Sequence, residues 1–173
     1  VFLYLGVPDF SFFFKKLGDY EVFRLLKQQT SVVAGIIMDE GGEVDKIIGE
    51  KILAVFRVNK NEHETALSAF RVAKKILELE KTNQLSFSIS IGLNYGKVIN
   101  GFLGVGSKRD FTVIGDPVNV TARIESLAES LDNNRCLISE TFYKLVDKEI
   151  TAKVHGKVEL KGKSQPMKVY YLS

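Results

Sequence analysis

The spacing of apolar and polar positions predicts both helices and strands in this chain. An apolar face at helical spacing runs from Asp19 to about Met38. A second helix is predicted to begin at the capping box Asn61-Glu-His-Glu64 and to reach about Leu79. Strands are predicted at 1–5, 44–48, 52–56 and 168–172, and the strict alternation at Ser86–Leu93 predicts another.

These elements follow one another in a βαββαβ-like order. That order predicts an α+β fold with a mainly antiparallel sheet and flanking helices. Four glycines after the alternating segment are expected to mark hairpin turns, because their spacing matches no phosphate-binding motif; they are Gly96, Gly101, Gly104 and Gly106. An irregular turn is expected at 6–9.

The segment Arg109–Glu125 predicts a strand, a tight Gly-Asp-Pro break and then a helix. Asn119 and Arg123 are four residues apart on that helix and therefore project from one face. An amide and a guanidinium at a glycine-rich strand end suit a phosphorylated, hydroxyl-bearing ligand. A lone Asn/Arg pair is more often part of a solvated helix face, so other parts of the chain have to support a ligand site.

Two further segments supply that support, Gly41–Phe56 and Leu160–Lys163. Together with Arg109–Glu125, they resemble the class III adenylate/guanylate cyclase catalytic domain, and the resemblance covers residues 1–173. It implies the ferredoxin-like βαββαβ core of that family. It also implies a site built between two domains, in which one domain donates metal-binding aspartates and the other reads the base, ribose and phosphates.

The resemblance gives this chain a complete base-reading set. Lys46 and Thr112 match the adenine-reading pair, since an ammonium can donate to N1 and a hydroxyl can accept from the N6 amine. Asn119 matches the ribose-orienting amide, Arg123 the guanidinium that stabilises charge on the reacting phosphate, and Lys161 the lysine for the terminal phosphates. Guanine would leave its N1–H unpaired against a lysine, a mismatch that costs about 1–3 kcal/mol.

The metal-binding set departs from the family pattern. Gly6 stands where the first metal aspartate belongs, and Glu50 replaces the second with a side chain that is one methylene longer. Lys51 places a cation where the family usually has a small residue. Pro8 has no N–H to offer a phosphate, and Asp9 would repel one. The family implies Mg²⁺ or Mn²⁺, but these substitutions predict that this chain binds it poorly.

Composition excludes several other classes of function. The 173 residues suit one domain, and a net charge of +3 with scattered Lys and Arg does not favour nucleic acid as a partner. No apolar run is long enough to span a bilayer. The single Cys136 is expected to be a buried structural thiol in a reducing, cytoplasmic compartment. His63 and His155 have no third ligand at zinc-binding spacing. The chain is expected to be part of a longer polypeptide.

Three functional hypotheses remain. The first is an enzyme half that pairs with a metal-competent cyclase domain to convert ATP to 3′,5′-cyclic AMP and pyrophosphate. The second is a catalytically inactive, ATP-binding or regulatory domain that signals through its dimer surface. The third is an active homodimer that relies on Glu50 and one metal ion. We rank the heterodimer first, because every departure falls on the metal side.

Overall fold

Strands and helices are interspersed along the residues that the computed structural model describes, which are 1–59, 61–106, 108–132, 135–159 and 166–172. The elements are β1 (Phe2–Gly6), α1 (Phe10–Leu17), α2 (Asp19–Asp39), β2 (Glu43–Ile48), β3 (Lys51–Val55), α3 (Glu62–Lys81), β4 (Ser90–Asn94), β5 (Ile99–Val105), β6 (Lys108–Ile114), α4 (Asp116–Glu129), β7 (Cys136–Ser139), α5 (Glu140–Val146), β8 (Ala152–Val158) and β9 (Met167–Leu172).

Seven strands form the main sheet in the order β2-β3-β1-β4-β7-β9-β8. Every neighbouring pair is antiparallel except β4 and β7, which run parallel. The central strand β1 lies between β3 and β4, with Leu3 opposite both Ala54 and Leu93. The predicted α+β fold with a mainly antiparallel sheet and flanking helices is confirmed.

The two faces of the sheet carry different helices, because successive side chains of a strand point to opposite sides. One face packs Leu3, Leu5 and Ala54 against apolar side chains of α2, α3 and α5. The other face carries Phe2 and Leu53, and α4 packs along it. Among the described elements, the helix that bears Asn119 and Arg123 shares this side of the sheet with β6, whose Val113 packs in the same cluster.

Close contact between α4 and the sheet depends on Gly92. A Cβ at residue 92 would lie 2.6 Å from the backbone nitrogen of Glu125 and 2.7 Å from the carbonyl oxygen of Thr121. Backbone atoms cannot move aside as a flexible side chain can, so glycine is required here. The resulting contact fixes the height of α4 above β4 and β1.

Three local predictions need correction. Helix α1 was not predicted, although Phe10, Phe13, Phe14 and Leu17 recur at helical spacing. The strand predicted at Ser86–Leu93 begins only at Ser90, since the backbone of Phe87 hydrogen-bonds to the Gln29 amide instead of a strand. Gly101 and Gly104 lie inside β5, and only Gly106, with φ of 61°, lies between β5 and β6.

The separate β5–β6 hairpin exposes an unusual amount of apolar surface. Val105 is 87% exposed and Phe102 76% exposed, and Ile99 is 79% exposed. Phe102 and Phe111 pack edge to face at 5.2 Å, and the guanidinium of Arg57 lies 5.4 Å from the Phe111 ring centre. Exposed apolar surface of this extent is typical of a protein contact.

Candidate functional site

The structure brings Lys46 and Thr112 into direct contact, although 66 residues separate them in the sequence. The Lys46 ammonium donates to the Thr112 hydroxyl oxygen. It also donates to the carboxylate of Asp45, with 2.8 Å between Nζ and Oδ2. The Thr112 hydroxyl lies 3.4 Å from the same carboxylate oxygen and donates to it. Three polar groups from two strands therefore form one cluster.

A β-bulge explains why consecutive residues contribute to this cluster. Val44 pairs with Ala54 and Lys46 pairs with Leu53, so Asp45 is the extra residue on β2. A bulge aims neighbouring side chains in directions that a regular strand does not allow. The carboxylate of Asp45 is 5% exposed, whereas the Lys46 side chain is 39% exposed. The lysine thus faces solvent above a buried carboxylate.

The beginning of α4 lies beside this cluster. Val113 of β6 packs in the same apolar cluster as Phe2, Leu53 and the partly buried Val118. Val113 and Val118 are the sequence neighbours of Thr112 and Asn119, and Leu53 is the strand partner of Lys46.

The N-terminal turn of α4 is held by hydrogen bonds to the Pro117 carbonyl. The amide of Asn94 donates to it at 3.0 Å, and the Thr121 hydroxyl donates to it at 2.6 Å. Asn119 is exposed and Arg123 is partly buried one helical turn later. An amide and a guanidinium are therefore presented on an anchored helix end. Lys161, the predicted phosphate-binding lysine, lies outside the described residues.

Gly6, which is predicted to stand at the first metal-ligand position, lies against the side chain of Glu125. A Cβ on Gly6 would lie closer than 3.0 Å to Oε1 of Glu125. That glutamate is completely buried. It accepts a hydrogen bond from Ser90 Oγ at 2.6 Å through Oε1 and one from Lys51 Nζ at 2.8 Å through Oε2.

Lys51 bridges two carboxylates of α4. Besides Glu125, its ammonium contacts Glu129 at 3.0 Å. Burial alone would lower the pKa of Lys51, but the hydrogen bonds to Glu125 and Glu129 outweigh burial and raise it. The side chain is therefore a charged lysine held between β3 and α4.

Mg²⁺ does not fit the residues present here. Gly6 offers no carboxylate, and the space beside it holds Glu125, whose oxygens are already engaged by Lys51 and Ser90. Glu50 lies in the turn between β2 and β3 and lines a small pocket together with Gly6 and mostly apolar side chains. Within the described ranges, no group of three His, Cys, Asp or Glu side chains could hold a metal ion.

The loop that follows β1 also departs from a phosphate cradle. Asp9 adopts a left-handed backbone with φ of 52° and precedes the first turn of α1. Its carbonyl accepts from the N–H of Phe12 at 2.9 Å. A negative side chain at this position opposes the binding of a polyphosphate.

The cysteine and the two histidines lie in surroundings that suit a structural role. Cys136 is a free, buried thiol, and burial raises its pKa. His63 contacts the Leu145 carbonyl at 2.7 Å, and His155 contacts the Tyr171 hydroxyl at 2.6 Å. No helix among the described residues has the length and apolar content needed to cross a membrane.

Sequence reasoning missed Asp45 and the partnership between Lys51 and Glu125. A signal existed for the second, because Lys51 opens a strand that is otherwise apolar and Glu125 interrupts the apolar stripe of α4. That Lys51 and Glu125 contact each other could not be inferred without knowing that α4 packs on β1 and β4. The contact of Asp45 depends on a bulge, which the sequence does not indicate.

Known proteins resemble this chain in both sequence and structure. An adenylate cyclase of Anabaena cylindrica is 28% identical over 187 residues, which cover 97% of this chain and 35% of that protein. The terminal-differentiation-specific adenylate cyclase of Dictyostelium discoideum is 28% identical and matches 95% of this chain. The chain spans only 8% of that second relative. It therefore corresponds to a part of these longer proteins.

Solved structures agree on the fold. The adenylyl cyclase CyaB of P. aeruginosa superposes with a TM-score of 0.86 at 23% identity, covering 99% of this chain and 92% of that one. The guanylyl cyclase Cya2 gives 0.85 at 26% identity, with 99% and 89% covered. The sequence profile of the adenylate and guanylate cyclase catalytic domain matches residues 1–173. This chain belongs to the adenylate/guanylate cyclase catalytic domain family.

Proposed function

We propose that this domain is the base-reading half of an adenylate cyclase site and that a metal-competent cyclase domain completes it. The reaction would be conversion of ATP to 3′,5′-cyclic AMP and pyrophosphate. One observation carries the proposal. Lys46 and Thr112 are in contact beside the N-terminal turn of α4. On the predicted metal-binding side of the same chain, Glu125 and Lys51 fill the space next to Gly6, which we call the closed metal side.

The base contacts suit adenine. The exposed Lys46 ammonium can donate to the N1 acceptor of adenine, and the Thr112 oxygen can accept from its N6 amine. In guanine the two corresponding positions have the opposite polarity, because N1–H donates and O6 accepts. Relatives of both specificities share the fold, so the preference for ATP rests on these two side chains.

The remaining roles follow from position on α4. Asn119 orients the ribose, because an exposed amide can both donate to and accept from ribose oxygens. Arg123 stabilises the charge that develops on the phosphate, and its partial burial strengthens that interaction. We assign the terminal phosphates to Lys161.

The proposal includes a second domain because neither Gly6 nor Glu50, at the two predicted metal positions, provides an aspartate. The partner would supply the aspartates that Gly6 and Glu50 replace. The exposed apolar hairpin β5–β6 favours a protein partner. A cytoplasmic location goes with this proposal, since the free thiol of Cys136 suits a reducing compartment.

Reconstitution tests the proposal. The domain is mixed with each metal-competent cyclase domain of its source, and cyclic AMP is measured with ATP and Mg²⁺ or Mn²⁺. We expect activity only in a mixture, and we expect Arg123→Ala in this chain to abolish it. Absence of any gain with all partners would contradict the heterodimer.

A non-catalytic nucleotide-binding domain is the second candidate. The contacts of Glu125 and Lys51 beside Gly6 favour it, because they leave no room there for a metal-binding carboxylate. Binding without turnover in every mixture would support this function. Turnover by the isolated domain that Arg123→Ala removes would instead favour the homodimer.

A further inference from the structure

We infer that Asp45 fixes the Thr112 hydroxyl as a hydrogen-bond acceptor toward the ligand and thereby sets the preference for adenine over guanine. This inference rests on the proposed nucleotide site. It assigns a specificity role to a residue that does not itself face the ligand. The carboxylate of Asp45 is 5% exposed and contacts both base-reading side chains.

A threonine hydroxyl alone does not discriminate between the two purines. It has one proton to donate and two lone pairs that accept. The same group could accept from the N6 amine of adenine or donate to the O6 oxygen of guanine. Something else in the site has to fix the direction of its proton.

Asp45 supplies that direction. An ionised carboxylate only accepts hydrogen bonds, so the Thr112 proton points toward Oδ2 across 3.4 Å. The Lys46 ammonium donates to Thr112 from the other side and also to Asp45. The Thr112 oxygen is left with acceptor capacity and no free proton, which matches adenine.

The burial of the carboxylate keeps this arrangement in place when a ligand binds. Thr112 is 4% exposed beneath Lys46, so a base reaches its hydroxyl when the more exposed ammonium turns toward the ligand. Asp45 cannot follow, because it is held in the bulge of β2. The hydroxyl proton therefore remains committed to Asp45 while Lys46 addresses N1.

Asp45→Asn is the discriminating variant. Its amide can still accept from Lys46, but it can donate to Thr112 and so free the hydroxyl proton for guanine O6. Isotope-labelled protein, alone and mixed with a metal-competent domain, is titrated with ATP and with GTP by NMR. We expect the ratio of the GTP and ATP dissociation constants to fall about tenfold, the effect of one mismatched polar contact.

Two further variants separate this role from simple support of Lys46. Thr112→Val should also lower the ratio, and adding Asp45→Asn to it should change nothing more, because both act through one hydroxyl. Glu43→Gln removes a charge from the same strand, where Glu43 pairs with Arg57, and should leave the ratio unchanged. Asp45→Ala replaces Asp45→Asn if the latter does not fold, with the same expected fall.

The outcomes are distinguishable. Binding of neither nucleotide by the unmodified domain, alone or in any mixture, would refute the proposed function and this inference with it. ATP preference that persists in Asp45→Asn would overturn the inference alone. A further fall of the ratio when Asp45→Asn is added to Thr112→Val would also overturn it.

Discussion

The carboxylate of Glu125 occupies the space into which a side chain at Gly6 would project. Glu125 belongs to α4, the helix that carries Asn119 and Arg123, whereas Gly6 ends the central strand β1. The predicted metal-ligand position at residue 6 and the helix predicted to face the substrate are therefore in direct contact. The glycine at residue 6 is part of how α4 packs on the sheet.

Gly6→Asp should destabilise the domain. The new side chain would meet the buried Glu125 carboxylate, so overpacking and like-charge repulsion add to a loss on the order of 2 kcal/mol. Chemical unfolding measures the change in the free energy of unfolding. Gly101→Asp is the matched control, because no atom lies within 4 Å of a Cβ added there.

A second-site change tests the same contact. Gly6→Asp combined with Glu125→Ala should recover part of the lost stability, since the clash is removed. Gly6→Asp with Glu50→Asp should not raise cyclase activity while Glu125 remains. A stable Gly6→Asp variant with increased Mg²⁺-dependent turnover would contradict the closed metal side.

Lys51→Met should also destabilise the domain, because it leaves Glu125 buried without its cation. Removing one partner of a fully buried pair costs about 3–5 kcal/mol, and the partial exposure of Lys51 makes a smaller loss the expected result. The double variant Lys51→Met, Glu125→Gln should be more stable than Lys51→Met in urea unfolding. Equal stability of the two would show that the pair carries no coupling.

The Lys51 contacts also predict a dependence on alkaline pH. The pKa of Lys51 is raised in the folded chain, so its stabilisation is complete below the ordinary lysine value of about 10.4 and is lost as pH rises through the folded value. The stability difference between the unmodified domain and Lys51→Met should therefore shrink above that pH. Tyr95 also titrates at alkaline pH, since a hydrogen bond to Glu62 raises its pKa to about 12. Its effect on stability is the same in both proteins and cancels from the difference between them.

Much of the fold follows from the sequence because apolar periodicity fixes which side of each element is buried. The long helices α2 and α3 and the strands around Gly49 are of this kind. The Asn61 cap is confirmed, since the N–H of Glu64 donates to its side chain at 2.7 Å. Segments whose partners are distant in sequence were less predictable.

Phe87 illustrates that limit. Its neighbours alternate as in a strand, yet its buried ring packs with Val7 and Val22 while its backbone bonds to the Gln29 side chain. Alternation of apolar and polar residues indicates which side chains are buried. It does not indicate which groups hydrogen-bond to the backbone. The same limit applies at the site, where Asp45 and Glu125 reach their partners through a bulge and a helix–sheet contact.

Gln29→Ala should therefore be costly, although glutamine is usually a surface residue. The N–H and carbonyl of Phe87 would lose their partners, and leaving a buried polar group unsatisfied costs about 1–3 kcal/mol. Gln28→Ala, on the exposed side of the same helix, is the control and should be nearly neutral. Equal thermal stabilities of the two variants would contradict this role.

The most direct test of the central claim is complementation by paired variants. Cyclic AMP synthesis is measured for this domain, for a metal-competent partner and for their mixture, with Arg123→Ala placed in this chain or a metal-aspartate substitution placed in the partner. We expect activity in the unmodified mixture alone and its loss with either variant. Full activity of the mixture despite Arg123→Ala in this chain would contradict its role as the base-reading half.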